Sequence, residues 1–191
     1  MNKSCLSLTN IEKTIGSKKI LSNISFSVEK NEIVGLLGPN GAGKTTAFHI
    51  AAGLMFPNQG KILINNKDVT NKPMHARAHL GLGYLPQESS LFPDLSVENN
   101  LLGIAELLKL DREQKINKVA KIIDEFNLTK ILQIKGRMLS GGQRRKVELA
   151  RTLICEPEIM LLDEPFAGID PIAVAEIKEL LIEITKKNIS I

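Results

Sequence analysis

The sequence predicts an α/β fold with a largely parallel sheet, and three observations point to it. Short apolar runs at Ile33–Leu37 and Ile159–Leu162 end in a glycine-rich loop and an acidic pair, as buried strands do. Segments with apolar residues at helical spacing alternate with such runs along the chain, the pattern of strands joined by crossover helices. Ile24, Phe26 and Val28 alternate with Ser25 and Ser27, the signature of a half-buried strand near the start.

The elements follow in order. Asn23–Glu29 and Ile62-Leu63-Ile64 read as strands, making the opening third rich in β structure. Ile33–Leu37 reads as a buried strand feeding a glycine-rich loop, with a helix from Lys44 to about Leu54 after it. Ser96 caps a helix carrying Val97, Leu101, Ile104, Ala105 and Leu108 inward. Asp111 with Gln114 forms a capping box ahead of Ile116, Val119, Ile122, Ile123 and Phe126. A helix with Val147, Ala150, Leu153 and Ile154 starts near Ser140, and Ile159–Leu162 forms a compact strand ending at Asp163-Glu164-Pro165. Asp170 as cap and Pro171 at the first helical position open a last helix with Ile177, Leu180, Leu181 and Ile184 inward.

Composition narrows the class. The 191 residues carry 25 basic and 21 acidic side chains and are 43% hydrophobic, an ordinary globular balance that excludes disorder. No run approaches the roughly 18 apolar residues of a membrane-spanning helix, and Met1-Asn2-Lys3-Ser4-Cys5 opens no signal-peptide core. Any membrane role therefore comes through a partner. Cys5 and Cys155 are singletons with neither disulfide density nor zinc spacing, which fits a reducing cytoplasm. Lys109 to Arg151 holds 12 basic and 5 acidic residues. Polyanion binding and a solvated helix face, with Lys115, Lys118 and Lys121 three apart, both account for that excess.

The chemistry concentrates in three places. Gly38-Pro39-Asn40-Gly41-Ala42-Gly43-Lys44-Thr45 has the G-x-x-x-x-G-K-[ST] spacing between strand and helix. Backbone N–H groups of such a loop surround a phosphate, the helix start adds partial positive charge, and Lys44 supplies a full one. The Thr45 hydroxyl suits Mg²⁺. Asp163 and Glu164 follow the strand Ile159–Leu162, where ligands gather in open α/β sheets. Asp163 is the candidate metal-shell carboxylate and Glu164 the better candidate for the water-activating base, because a carboxylate engaged with a metal shell takes a proton poorly; acids that simply terminate and solvate the strand are the plainer alternative. Leu139-Ser140-Gly141-Gly142-Gln143 opens the basic helix Arg144-Arg145-Lys146. Ser140 and Gln143 have capping-box spacing, yet two glycines in a first turn invite close approach to the backbone, and a phosphate is the obvious visitor.

Gly38–Thr45, Gln87, Leu139–Gln143, Ile159–Pro165 and Ala167-Gly168-Ile169-Asp170, in that order, resemble the ATP-binding cassette family. The resemblance implies a P-loop NTPase cassette with a β-rich N-terminal subdomain, a mostly parallel RecA-like core sheet and a helical signature subdomain. One domain would span 1–191, with 1–95 and 156–191 as nucleotide-binding core and 96–155 as the helical subdomain, its C-terminal part missing. It further implies ATP and Mg²⁺ as ligands, held by Gly38 to Thr46 of one subunit and closed over by Ser140, Gly141, Gly142 and Gln143 of the other in a head-to-tail homodimer. Thr45, Gln87 and Asp163 would serve the metal; Glu164, Lys44 and Gln87 would act in hydrolysis, and Asp170 would couple the two sites.

His75-Ala76-Arg77-Ala78, Gly83–Phe92 and Leu162–Ile172 are similar to the ATPases of lipopolysaccharide export systems in Gram-negative bacteria. That likeness implies a cytoplasmic protein, peripheral on the inner membrane, bound to two membrane-spanning subunits through the region around Gln87 and Phe92, with no membrane insertion of its own and no nucleic-acid partner. Phe92 would line the groove for a coupling helix; a core aromatic after a turn is the plainer alternative.

Two departures stand out. Ile15 occupies the place of the family's adenine-stacking aromatic, and Tyr84, the only tyrosine, lies in the strand before Gln87. The chain also stops within Asn188-Ile189-Ser190-Ile191, the expected start of the next strand, ahead of the family's switch histidine. His49, His75 and His79 all precede the signature and are expected in surface or helix packing. In the related fold that strand lies between the one feeding Gly38 and the one ending at Asp163; with it and the switch histidine absent, poor hydrolysis is the expectation for these 191 residues even if nucleotide binding is retained. Chromosome-organising cassettes carry long coiled coils where only 94 residues separate Thr45 from Ser140, and translation-factor cassettes come in pairs. A cassette of another export system and a non-hydrolysing remnant stay open.

Overall fold

The computed structural model describes residues 4–191; Met1-Asn2-Lys3, which entered the signal-peptide reading, lie outside them. The chain divides into two compact units, Met1–Tyr84 with Pro157–Asp163 and Ile182–Ile191, and Leu85–Glu156 with Glu164–Leu181.

The first unit is built on β1 (Ser4–Ile15), β2 (Lys18–Glu29), β3 (Gln59–Ile64) and β4 (Lys67–Asp68), a sheet of order β2-β1-β3-β4. All three of its ladders are antiparallel. Leu6 faces Ile64 and Leu8 faces Ile62 across β1 and β3, and all four side chains are fully buried. Period-2 alternation puts them on one face, where each contributes on the order of 1.5–3 kcal/mol of burial. Asn65 and Asn66, at φ 48° and 63°, make the two-residue β3–β4 turn, which needs left-handed backbone at both positions. Helix α1 (Lys44–Ala52) buries Ala47, Ile50, Ala51 and Ala52 in the core these strands form.

β5 (Leu82–Leu85) and β6 (Ile159–Leu162) make a second, two-stranded sheet. The strand expected over Ile33–Leu37 does not form. A strand exists only beside a backbone that pairs with it, and among the described residues the ladder here stops at Val34. Val34 N–H donates to Ile191 O at 2.8 Å, and Ile191 N–H donates to Glu32 O at 2.9 Å. On its other side, Ser190 N–H donates to Glu158 O at 3.0 Å and Ser190 O accepts from Met160 N–H at 2.8 Å, a parallel bridge. Ser190-Ile191 thus lies between the segment feeding Gly38 and the one ending at Asp163, as the sequence led us to expect. Leu37, beyond the pairing, is 93% exposed.

In the second unit α3 (Val97–Ala105), α4 (Arg112–Glu125) and α5 (Gly141–Ile154) pack pairwise, following α2 (Met74–Ala78) in the chain. Val97, Leu101, Val119, Ile122, Phe126, Val147, Leu149 and Ala150 are buried. Ser96 Oγ accepts from Asn99 N–H, and both sides of the Asp111–Gln114 capping box are made. In α6 (Pro171–Lys186), Asp170 Oδ1 accepts from Ile172 and Ala173 N–H at 3.1 and 3.0 Å, and Ile177, Leu181 and Ile184 are buried. No described helix is long and apolar enough to cross a membrane.

One buried charge anchors the first unit. Arg77 is fully buried and donates to four main-chain carbonyls: Ile50 and Ala51 at the C-terminal turn of α1, Lys72, and Thr70. Burial lowers its pKa to about 10, so it stays charged at neutral pH and complements the negative end of the α1 dipole. Replacing it with Met would strand those carbonyls, each worth roughly 1–3 kcal/mol when left unsatisfied. Arg77→Met is expected to lower unfolding free energy by about 3 kcal/mol or more in urea titration; a loss under about 1 kcal/mol would contradict that anchoring role.

Candidate functional site

The loop Gly38–Gly43 is exposed or half-buried and leads into α1 through backbone that only glycine adopts readily. Gly41 and Gly43 have φ of 81° and 88°. A Cβ on Gly43 would also stand 2.7 Å from Leu21 Cδ2 and 3.2 Å from Ile20 O, so this glycine is required twice over. Among the described residues, α1 is the one helix of nine residues or more with no side-chain cap on its first turn. The others use Ser96, Asp111, Ser140 and Asp170. The first-turn amides of Lys44, Thr45 and Thr46 therefore have no side-chain acceptor competing with an anion. Lys44 Nζ folds back to donate to Gly38 O at 2.7 Å and Pro39 O at 2.9 Å, holding its charge inside the loop.

Asp163, at the end of β6, is 4% exposed. Tyr84 in β5 meets His49 of α1 edge-on, with ring centroids 6.4 Å apart, and it senses the Asp163 charge. Burial first, then that carboxylate, raises the Tyr84 pKa above its ordinary 10.0. The Thr45 hydroxyl and the Asp163 carboxylate are the residues that could hold Mg²⁺ together with the oxygens of a phosphate chain, since that ion takes one or two carboxylates and keeps its waters. No cluster of three or more His, Cys, Asp or Glu among the described residues offers an all-protein metal cage.

In the second unit Gln87 Nε2 donates to Glu164 Oε2 at 2.9 Å, joining residues 77 positions apart. Glu164 has φ 46°, a left-handed conformation unusual for a residue with a side chain. At the start of α5, Ser140 Oγ accepts from Gln143 N–H at 3.2 Å, and Gln143 Oε1 accepts from Ser140 N–H at 3.0 Å. Both side chains are thus a capping box. The approach that Gly142 permits comes from this chain: a Cβ there would stand 2.5 Å from Ala173 Cβ in α6, and one on Gly141 3.0 Å from Gly168 O.

Phe92 is 53% exposed, which removes the reading of a core aromatic. Arg151 lies over its ring at 5.3 Å. Asn100, fully buried in α3, accepts from Phe92 N–H and donates to the carbonyls of Phe92, Leu95 and Ser96, fixing the loop that presents the ring. Ile15 is 48% exposed at the end of β1. His75 and His79 are exposed and His49 is half-buried, in surface and helix packing as expected. Sequence reasoning did not find Arg77, Asn100, Arg145 or Glu148. A polar Asn100 on the apolar stripe of its helix, and the i,i+3 spacing of Arg145 and Glu148, were the available signals.

Because Tyr84 is the only tyrosine, its ionisation reads the Asp163 charge directly. Ultraviolet titration is expected to give a midpoint above 10.0, moving down in Asp163→Asn. A midpoint that ignores the substitution would place the carboxylate away from the ring.

Comparison with known proteins identifies the family. The sequence pattern of the family described as ABC transporter matches residues 21–167. The chain is 47% identical over 189 residues to the lipopolysaccharide export system ATP-binding protein LptB of Haemophilus influenzae, covering 98% of this chain and 78% of that protein. It is 44% identical over 177 residues to the protein of the same name in Escherichia coli, covering 92% and 73%. A probable ABC transporter ATP-binding protein of Azorhizobium caulinodans shares 45% identity over 186 residues, covering 97% and 66%. A nucleotide-free ATP-binding cassette from an ABC transporter superposes with TM-score 0.86 at 29% identity, and one in its ADP conformation with 0.83 at 30%, each covering 98% of this chain and 79% of the other. The chain belongs to the ABC transporter family, as the ATP-binding cassette of its ATPase component.

Proposed function

We propose that this chain binds Mg-ATP at Gly38–Thr46 and couples its hydrolysis, as a homodimer on membrane-spanning subunits, to lipopolysaccharide export from the inner membrane. The observation that carries the reading is the start of α1, where a glycine-built loop, uncapped amides and the Lys44 ammonium share one concave turn. Those donors suit the β- and γ-phosphates, with the Thr45 hydroxyl and Asp163 on the metal side. Bound Mg²⁺ would draw charge from the phosphate oxygens. The Glu164 carboxylate then takes a proton from the attacking water while Gln87 Nε2 fixes the orientation of its Oε2.

The exposed Phe92 on its Asn100-braced loop supports docking of a transporter subunit beside Gln87. Ser140, Gly141 and Gln143, exposed at the start of α5, and the buried Gly142 among them are the proposed closing edge on the partner's nucleotide, with Asp170 the link between the two sites. The lipopolysaccharide assignment rests on the names of relatives at 44–47% identity. We place the protein in the cytoplasm, held at the inner membrane by its partners.

Calorimetry tests the binding half. Lys44→Ala is expected to weaken Mg-ATP binding by about 10- to 100-fold, the worth of one or two charged hydrogen bonds; unchanged affinity would remove Lys44 from the site. Glu164→Gln, in protein that turns over, is expected to cut hydrolysis by about 10²–10⁴-fold while sparing binding. An unchanged rate would assign the base elsewhere.

A further inference from the structure

We propose that Arg145 and Glu148 are positioning residues for hydrolysis, acting by holding the backbone of Glu164 and the loop that carries Gln87 in one geometry. The proposal rests on Glu164 being the water-activating carboxylate. Arg145 is 6% exposed and Glu148 2%. The guanidinium donates from Nε to Pro165 O, from Nη2 to Glu164 O and from Nη1 to Pro86 O, each at 3.0 Å. Nη1 also reaches Glu148 Oε2 at 3.0 Å. The other Glu148 oxygen accepts from Ser89 Oγ at 2.7 Å and from Ser90 N–H at 3.1 Å.

One planar fork therefore grips the main chain immediately before Gln87 and at and after Glu164, the two residues whose side chains meet at 2.9 Å. Glu164 sits at φ 46°. Such a conformation persists only where its surroundings over-determine it, and carbonyl bonds at residues 164 and 165 do that. The chemistry is specific to this pair. Arg145 bonds the main-chain oxygen of Glu164, while Gln87 bonds its carboxylate. Glu148 neutralises the fork, which removes the drive for the guanidinium to turn onto Glu164 itself. A lysine keeps the charge but offers no rigid fork to bond carbonyls in three directions.

The test uses the protein as its gene encodes it, with Arg145→Lys, Arg145→Ala, Glu148→Gln and Glu164→Gln compared. Arg145→Lys is expected to lower kcat by about 10- to 100-fold, the cost of a small misplacement, with KM for Mg-ATP and the melting temperature near wild type. Methylguanidinium is expected to restore part of the kcat lost in Arg145→Ala, and Glu148→Gln to show a smaller loss than Arg145→Lys. Hydrogen exchange gives a readout independent of turnover. Amides of residues 87–90 and of Glu164, Phe166 and Ala167 should exchange faster in Arg145→Lys, while those of α1 and β1–β3 keep their rates. Wild-type kcat in folded Arg145→Lys, unchanged exchange at both segments, or a kcat loss that only tracks lowered melting would overturn the proposal. Wild-type turnover in Glu164→Gln would instead overturn the reading of Glu164, with the exchange result still judging whether Arg145 holds both segments.

Discussion

A helix start without a cap is the constraint on which this structure turns. Four helices close their first turn with their own side chains, at Ser96, Asp111, Ser140 and Asp170. Helix α1 does not, and leaves first-turn donors facing a loop whose carbonyls already gather the Lys44 ammonium. Open donors at a helix end are stable only in water or against an anion. The rest of the first unit holds that end still: Gly43 lies against Ile20 and Leu21 of β2, and Arg77 grips the far end of α1. Rigidity at both ends of a nine-residue helix keeps the amide donors aimed in one direction, which is what a phosphate site requires.

The second unit uses α5 differently. Arg145, Glu148 and Arg151, at three-residue spacing, share one face of the helix, and each bonds the segment between Pro86 and Phe92. Arg151 caps Ser90 O and lies over Phe92, and burial lowers its pKa. The helix that begins with the signature glycines is thus fastened to the loop carrying Gln87 and Phe92. A movement of α5 would reach that loop through the part-buried hydrogen bonds of Arg145 and Glu148.

Much of this was legible in the sequence because much of it is local. Caps at Ser96, Asp111 and Asp170 depend on residues two or three positions away, so spacing alone predicted bonds that the structure contains. What escaped was non-local. Arg145 and Pro86 are 59 residues apart, and Arg77 and Ile50 are 27 apart; no periodicity joins them. The Ile33–Leu37 run shows the converse failure. Its composition is that of a strand, but strands are pairings, and beyond Val34 the described backbone supplies no neighbour. Gly142 adds a further lesson: its missing side chain makes room for Ala173 of the same chain, so a glycine in a motif answers packing as well as ligand.

Amide chemical-shift mapping during a Mg-ATP titration tests the central claim most directly. Binding at the open end of α1 predicts the largest shifts at Gly41, Gly43, Lys44, Thr45 and Thr46, saturating with nucleotide. Shifts absent from those amides at saturating Mg-ATP would contradict the account.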